Sequence, residues 1–265
     1  MKKTTFTILF LSLSISQDHW ETAIFASDEW KYIVPDAEPQ SNWNDISFDD
    51  ETWISSQGGF GYGDGDDGTV IEPAISVYFR KSFNVIDKSK LSSAILSADY
   101  DDGYIAYVNG IEISRSLNLP EPGTFVSFDE TTYYDHEASL YNEGFPENIF
   151  LDSLLLNSLL VNGENVLAVQ VHNVGLSSSD MSGNFFLTFG ITDESEFYSP
   201  PPFWFQEPIV HDESNLPLIF IDTYGAEIPD EPRVPAYMGI INNQSGINHI
   251  DDPYNDYDGH ITIER

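Results

Sequence analysis

The sequence predicts an all-β sandwich, and three observations carry that expectation. Short runs alternate apolar and polar residues with a period of two from Trp30 to about Ile191. Turn residues break those runs at the spacing of a sandwich. Aromatic residues make up 14% of the 265 positions, beside 18 glycines and 15 prolines, whereas disordered acidic chains lack aromatics.

At the N-terminus, Lys2 and Lys3 precede an apolar stretch that ends near Ser16. This is the layout of a secretory signal peptide, and the stretch is too short for a membrane span of about 20 residues. A buried N-terminal strand or helix is the alternative. Export would place the protein outside the cytoplasm, secreted or at the cell surface.

The sandwich is expected over residues 28–193. In Val77 to Val85, the residues Val77, Phe79, Phe83 and Val85 share one face, which is assigned to the core. Tyr104 to Val108 and Ile111 to Ser114 flank Asn109-Gly110, the pair suited to the positive φ angles of a type I′ hairpin turn. Leucines cluster without strand alternation between Ile149 and Leu160, which reads either as a short helix or as a loop. Asn162-Gly163 forms a second turn, feeding a strand in which Leu167, Val169 and Val171 point one way and Ala168, Gln170 and His172 the other. Phe185, Leu187, Phe189 and Ile191 repeat that pattern.

Residues 194–213, with Pro200 to Pro202 and the aromatics Phe203, Trp204 and Phe205, read as a linker that docks on a neighbour. Three further strands are expected near Leu216 to Asp222, Tyr237 to Ile241 and His260 to Ile263. Residues 214–265 are few for an independent core, so they read as the start of an incomplete second domain.

A formal net charge of −34 argues against nucleic acid and anionic membrane surfaces as partners, since both would be repelled. No later segment is apolar for long enough to insert in a membrane as a helix. The absence of cysteine removes disulfides and thiol chemistry, and neither a Gly-x-Ser-x-Gly elbow nor a phosphate-cradling Gly-x-x-x-x-Gly-Lys occurs. The chain is therefore expected to bind rather than to catalyse.

Several runs occur in a recognisable order: Phe48 to Trp53, Gly59 to Thr69, Val77 to Arg80, Asp99 to Gly110, Asn165 to Asn173 and Ser178 to Met181. Together they resemble a galactose-binding-like jelly roll, and are similar to the sugar-binding domain at the front of family-two glycoside hydrolases. That resemblance implies a jelly-roll β-sandwich and a carbohydrate-binding or adhesive role, with a glycan or an extracellular or cell-surface protein as partner. The tail, through Ser214 to Asp222, Met238 to Asn242 and Asp258 to Glu264, resembles the entry of CotH-type spore-coat kinase-like domains. That family's later motifs are not present, so the alternative is the N-terminal fragment of an atypical secreted kinase whose catalytic residues lie past Arg265.

Asp64, Asp66 and Asp67 alternate with glycines, where carboxylate oxygens could converge on Ca²⁺, although Asp-Gly pairs also make ordinary turns. Asp251, Asp252, Asp256 and Asp258 form a similar cluster, and neither fits an EF-hand. Structural calcium is also what the resemblance implies. Asp101 and Asp102, with Tyr104 as a stacking platform, are candidates for a sugar, since carboxylates accept hydroxyl hydrogen bonds. The same residues also suit a turn that bonds its own backbone. His172, Asn173 and Asp180 are expected to meet at one rim of the sandwich, as ligand contacts or as an orienting bond between loops.

Overall fold

The structure is a computed structural model that describes residues 19–63, 65, 67–208, 213–224, 228–250 and 252–265. The expected signal peptide lies outside the described residues. The chain divides into two compact units, the first ending at Phe205 and the second spanning Gln206–Arg265.

The strands of the first unit are β1 (His19–Ile24), β2 (Glu29–Ile33), β3 (Ile54–Gln57), β4 (Phe60–Tyr62), β5 (Thr69–Val70), β6 (Ser76–Val85), β7 (Leu91–Asp101), β8 (Gly103–Val108), β9 (Ile111–Arg115), β10 (Glu147–Asp152), β11 (Gly163–His172) and β12 (Met181–Ile191). Helix α1 (Ser153–Leu159) lies between β10 and β11. One six-stranded sheet has the order β10-β7-β12-β4-β5, with β1 also on β12, and the other runs β3-β2-β6-β11-β8-β9. Pairing is antiparallel throughout this unit except between β4 and β5. The unit is an all-β sandwich.

Its core follows the alternation. Val77, Phe79, Phe83 and Val85 of β6 and Leu167, Val169 and Val171 of β11 meet Phe185, Leu187 and Phe189 of β12 between the sheets. Ring pairs cross the interface, Phe79 to Phe185 at 5.9 Å and Phe83 to Phe189 at 6.2 Å between centroids. Tyr104 joins this core while Tyr107, three residues on, faces outward into a separate cluster.

The Asn109-Gly110 turn forms as the pair requires, with φ of 51° and 86°. Asn109 also ties the hairpin to its neighbours: its side chain donates to Leu159 O at 2.9 Å and Asn165 Oδ1 at 2.8 Å, and accepts from Val166 N at 2.9 Å. The leucine-rich stretch is both strand and helix. Residues 147–152 pair with β7, after which Asp152 caps α1 by accepting from Leu155 N at 2.8 Å. Leu156 and Leu159 then enter the core.

Segments outside the strands cover the outer faces, the one joining β9 to β10 among them. Residues 34–53 cross the second sheet, anchored by Arg80, which is 3% exposed, donates to Asp50 Oδ2 at 2.8 Å and to Asp45 O at 3.0 Å, and bonds Trp43 O. Residues 197–205 dock on the first unit itself. Glu21 accepts from the Phe197 and Tyr198 amides at 2.8 Å each, and Trp204 packs edge-on against Phe186.

In the second unit, β13 (Glu213–Ser214) pairs with β16 (Asn248–His249), while β14 (Leu218–Asp222), β15 (Val234–Ile241) and β17 (Tyr257–Ile263) form an antiparallel three-stranded sheet with β15 in the middle. Among its described residues, Ala236 and Ile241 are the fully buried apolar side chains.

Candidate functional site

Two places on the first unit gather chemistry: one end of the sandwich, and the outer face of the second sheet.

At the end, Asp101 closes β7, Asp102 crosses from one sheet to the other, His172 closes β11 and Asp180 precedes β12. On β7, Ala94, Leu96, Ala98 and Tyr100 face the core, so Asp99 and Asp101 point out of the sandwich, beneath the segment joining β9 to β10. Asp99 accepts from Ser139 N at 2.6 Å and Leu140 N at 3.2 Å. Burial raises its pKa, opposed by those amide bonds. Asp102, 3% exposed, accepts from His136 N at 2.9 Å and Val174 N at 2.6 Å, one bond to each oxygen. The acidic run thus holds two loops by their backbone amides.

Asp101 does something else. It is 4% exposed, and its Oδ1 has no hydrogen-bond partner. Burial, and then the neighbouring carboxylates of Asp102, Asp180 and Glu137, drive its pKa well above the usual carboxylate range. One carboxylate oxygen each from Asp101, Glu137 and Asp180 lie within 4.8 Å of one another, a spacing able to hold a metal ion.

The remaining residues expected to contact a ligand are placed otherwise. Tyr104 is 1% exposed, packed against Tyr100 and Phe185, with its hydroxyl bonded to Ser114 Oγ at 2.7 Å. No face of its ring is open for a sugar to stack on, which corrects the expectation of a platform. His172 and Asn173 are each 0% exposed. His172 Nδ1 bonds Glu130 O at 2.8 Å under the covering segment, and desolvation pushes its pKa down to about 4. Asn173 donates to Asp180 O at 3.1 Å and to the Tyr62 hydroxyl at 2.9 Å, fastening β11 to the loop that leads into β12. These side chains position loops rather than meet a solute. Of the glycine-loop acids, Asp64 and Asp66 lie outside the described residues, as does Asp251 in the tail. The carboxylate of Asp67 lies over Gly61, where a Cβ would meet it at 2.2 Å.

The outer face of the second sheet carries a cleft of about 280 Å³ that sequence reasoning missed, lined by Glu38, Trp43, Asn44, Tyr107, Phe125 and Gln170 among others. Tyr107 and Gln170 come from β8 and β11, with Gln170 Nε2 donating to the Tyr107 hydroxyl at 3.4 Å. Trp43 is held rigidly, stacked on Trp53 at 6.3 Å and edge-on to Tyr78 at 4.7 Å and Tyr107 at 5.6 Å. Phe125, from the segment after β9, is 72% exposed. Burial pushes the Tyr107 hydroxyl up to about 12, so it remains a neutral donor and acceptor at physiological pH.

No protein-family model and no curated protein matches the chain. Among solved structures it is similar to a calcium-binding mutant of β-glucuronidase 2 from Bacteroides uniformis, at 15% identity and a TM-score of 0.41 over 84% of this chain and 22% of that one. It is similar to a glycosyl hydrolase family 2 member from Bacteroides cellulosilyticus, at 12% identity and 0.41 over 82% of this chain and 24% of that one. A third is a β-glucuronidase of an uncultured Clostridium sp., at 13% identity and 0.42 over 98% of this chain and 41% of that one. The chain spans less than half the length of each of these three.

Proposed function

We propose that the first unit is a non-catalytic carbohydrate-binding module of a secreted protein, and that its sugar site is the cleft on the second sheet. The observation that carries this reading is the lining. A concave surface presents the exposed ring of Phe125 beside the half-buried hydroxyl of Tyr107, the amide of Asn44 and the carboxylate of Glu38, over a floor formed by the buried Trp43 and Gln170. A pyranose has an apolar face that stacks on an aromatic ring and an edge of hydroxyls that need donors and acceptors, and the cleft offers both. Its volume lies just under the common range of about 300–1,000 Å³, which suits one sugar residue more than a long chain.

Affinity electrophoresis and calorimetry against a panel of neutral and basic polysaccharides test this. Retention on at least one glycan is expected, and Phe125→Ala should weaken it by about ten-fold or more, because an exposed stacking ring is a contact that dominates binding. Phe125 stands 72% exposed, so its removal leaves the fold intact. Retention unchanged in Phe125→Ala, or binding to no glycan beside clear binding to a protein, overturns the reading.

A further inference from the structure

We infer that Asp101, Glu137 and Asp180 form a site for a hard divalent cation, Ca²⁺ by its ligand chemistry, which clamps the loops at one end of the sandwich.

Geometry is the first ground. Calcium takes oxygen ligands at about 2.3–2.6 Å, so two oxygens on one ion stand up to about 5.2 Å apart. The three carboxylate oxygens here are within 4.8 Å of each other and come from three separate parts of the chain: the end of β7, the segment between β9 and β10, and the loop before β12. An all-carboxylate set without histidine or cysteine fits calcium or magnesium better than zinc, whose sites are built mainly on nitrogen and sulfur ligands. Irregular loops that supply several charged oxygens suit the larger and less exacting ion.

The second ground is independent of the clustering. Asp101 is 4% exposed, and its Oδ1 is left without a hydrogen bond. A buried carboxylate oxygen without a partner is costly, and folded proteins pair such atoms or place them on a metal. Asp102, next in sequence, shows the contrast, since both its oxygens are satisfied by backbone amides. The ion pairs among the described residues involve none of the three acids, so no arginine or lysine supplies the missing charge. A cation would meet the open valence of Asp101 and remove the repulsion that Asp180 and Glu137 impose on it.

This site is separate from the aromatic cleft, so the two readings stand or fall apart. The test uses the full chain, stripped with a chelator and titrated with CaCl₂ in about 0.15 M salt, which screens diffuse attraction to the acidic surface. One saturable equivalent is expected from calorimetry, together with a rise in melting temperature. Glu137→Gln should weaken that equivalent by about ten-fold or more. Glu137 is exposed, so this variant folds whether or not the ion binds. Asp180→Asn should behave alike, and Phe125→Ala should leave calcium binding unchanged. No saturable binding, or full affinity in Glu137→Gln, overturns the assignment, the latter placing the ion on other acids. A melting temperature raised in Asp101→Asn with the calcium response intact overturns it too, since the buried carboxylate would then be carrying a proton instead.

Discussion

His172 shows how far a side chain's chemistry depends on what lies over it. The strand pattern sets it opposite Val171 and so away from the core between the sheets, where a histidine reads as available to a ligand. The segment that follows β9 crosses that face and leaves it 0% exposed, with Glu130 O as the partner of Nδ1 and Nε2 without one. Desolvation lowers its pKa to about 4, and the positive charge of Arg115 acts in the same direction. The ring is then neutral in the folded protein at pH values where an unfolded chain, with a histidine pKa of about 6.5, has already begun to protonate. Above that value the group is neutral in both states and costs nothing. As pH falls from about 6.5 towards 4, the unfolded state takes up the proton first and the folded state loses up to about 3 kcal/mol. Urea unfolding across this window should therefore show a steeper acid loss in the natural chain than in His172→Gln. Equal slopes would mean that the ring titrates normally.

At the scale of elements, the hairpin of β8 and β9 shows which parts of the fold are local. Asn109 adopts a φ of 51°, accessible to asparagine at modest cost and to alanine at about 1–2 kcal/mol, and its side chain makes three hydrogen bonds to α1 and β11. Asn109→Ala should lose both contributions, about 3 kcal/mol in all, whereas Asn109→Gly keeps the turn and loses only the bonds, near 2 kcal/mol. Denaturant midpoints in that order check the division, and equal losses would assign everything to the bonds. The turn was legible because its two residues dictate it. So were the faces of β6, β11 and β12, where Phe83, Val169 and Leu187 belong to apolar sets spaced by two, interrupted on β6 by Lys81. The site was far less legible. Glu137 and Phe125 sit in a long segment with no periodicity, and only the folded chain brings the former to Asp101 and the latter to Tyr107. Tyr104 misled because alternation tells which residues share a face, while the buried face is settled by the opposite sheet. Strand β10, ahead of the short helix, was illegible for a related reason, since the pairing of Phe150 with Ile95 is a long-range contact that its own leucine-rich surroundings do not announce.

Across the whole molecule, the two units differ in what holds them. In the first, two six-stranded sheets bury a continuous set of aromatic and branched side chains. The second has a three-stranded sheet whose fully buried apolar residues, among those described, are Ala236 and Ile241, while Ile219 and Ile221 on β14 stand 60% and 46% exposed. Burial contributes roughly 25 cal/mol per Å² of apolar area, and backbone ordering costs about 1–2 kcal/mol per residue, so a unit with so little core has little surplus. Local stability follows the same logic, and regions with few buried contacts open first. Repulsion within a chain of net charge −34 bears hardest on the part with the least core to oppose it. Hydrogen exchange read by mass spectrometry should thus show β14, β15 and β17 losing protection at denaturant concentrations where β7, β11 and β12 keep theirs. Raising the salt concentration should narrow the gap, because screening relieves the repulsion. Coincident loss of protection in both units at every salt concentration would mean that they unfold as one cooperative body, with the second drawing its stability from the first.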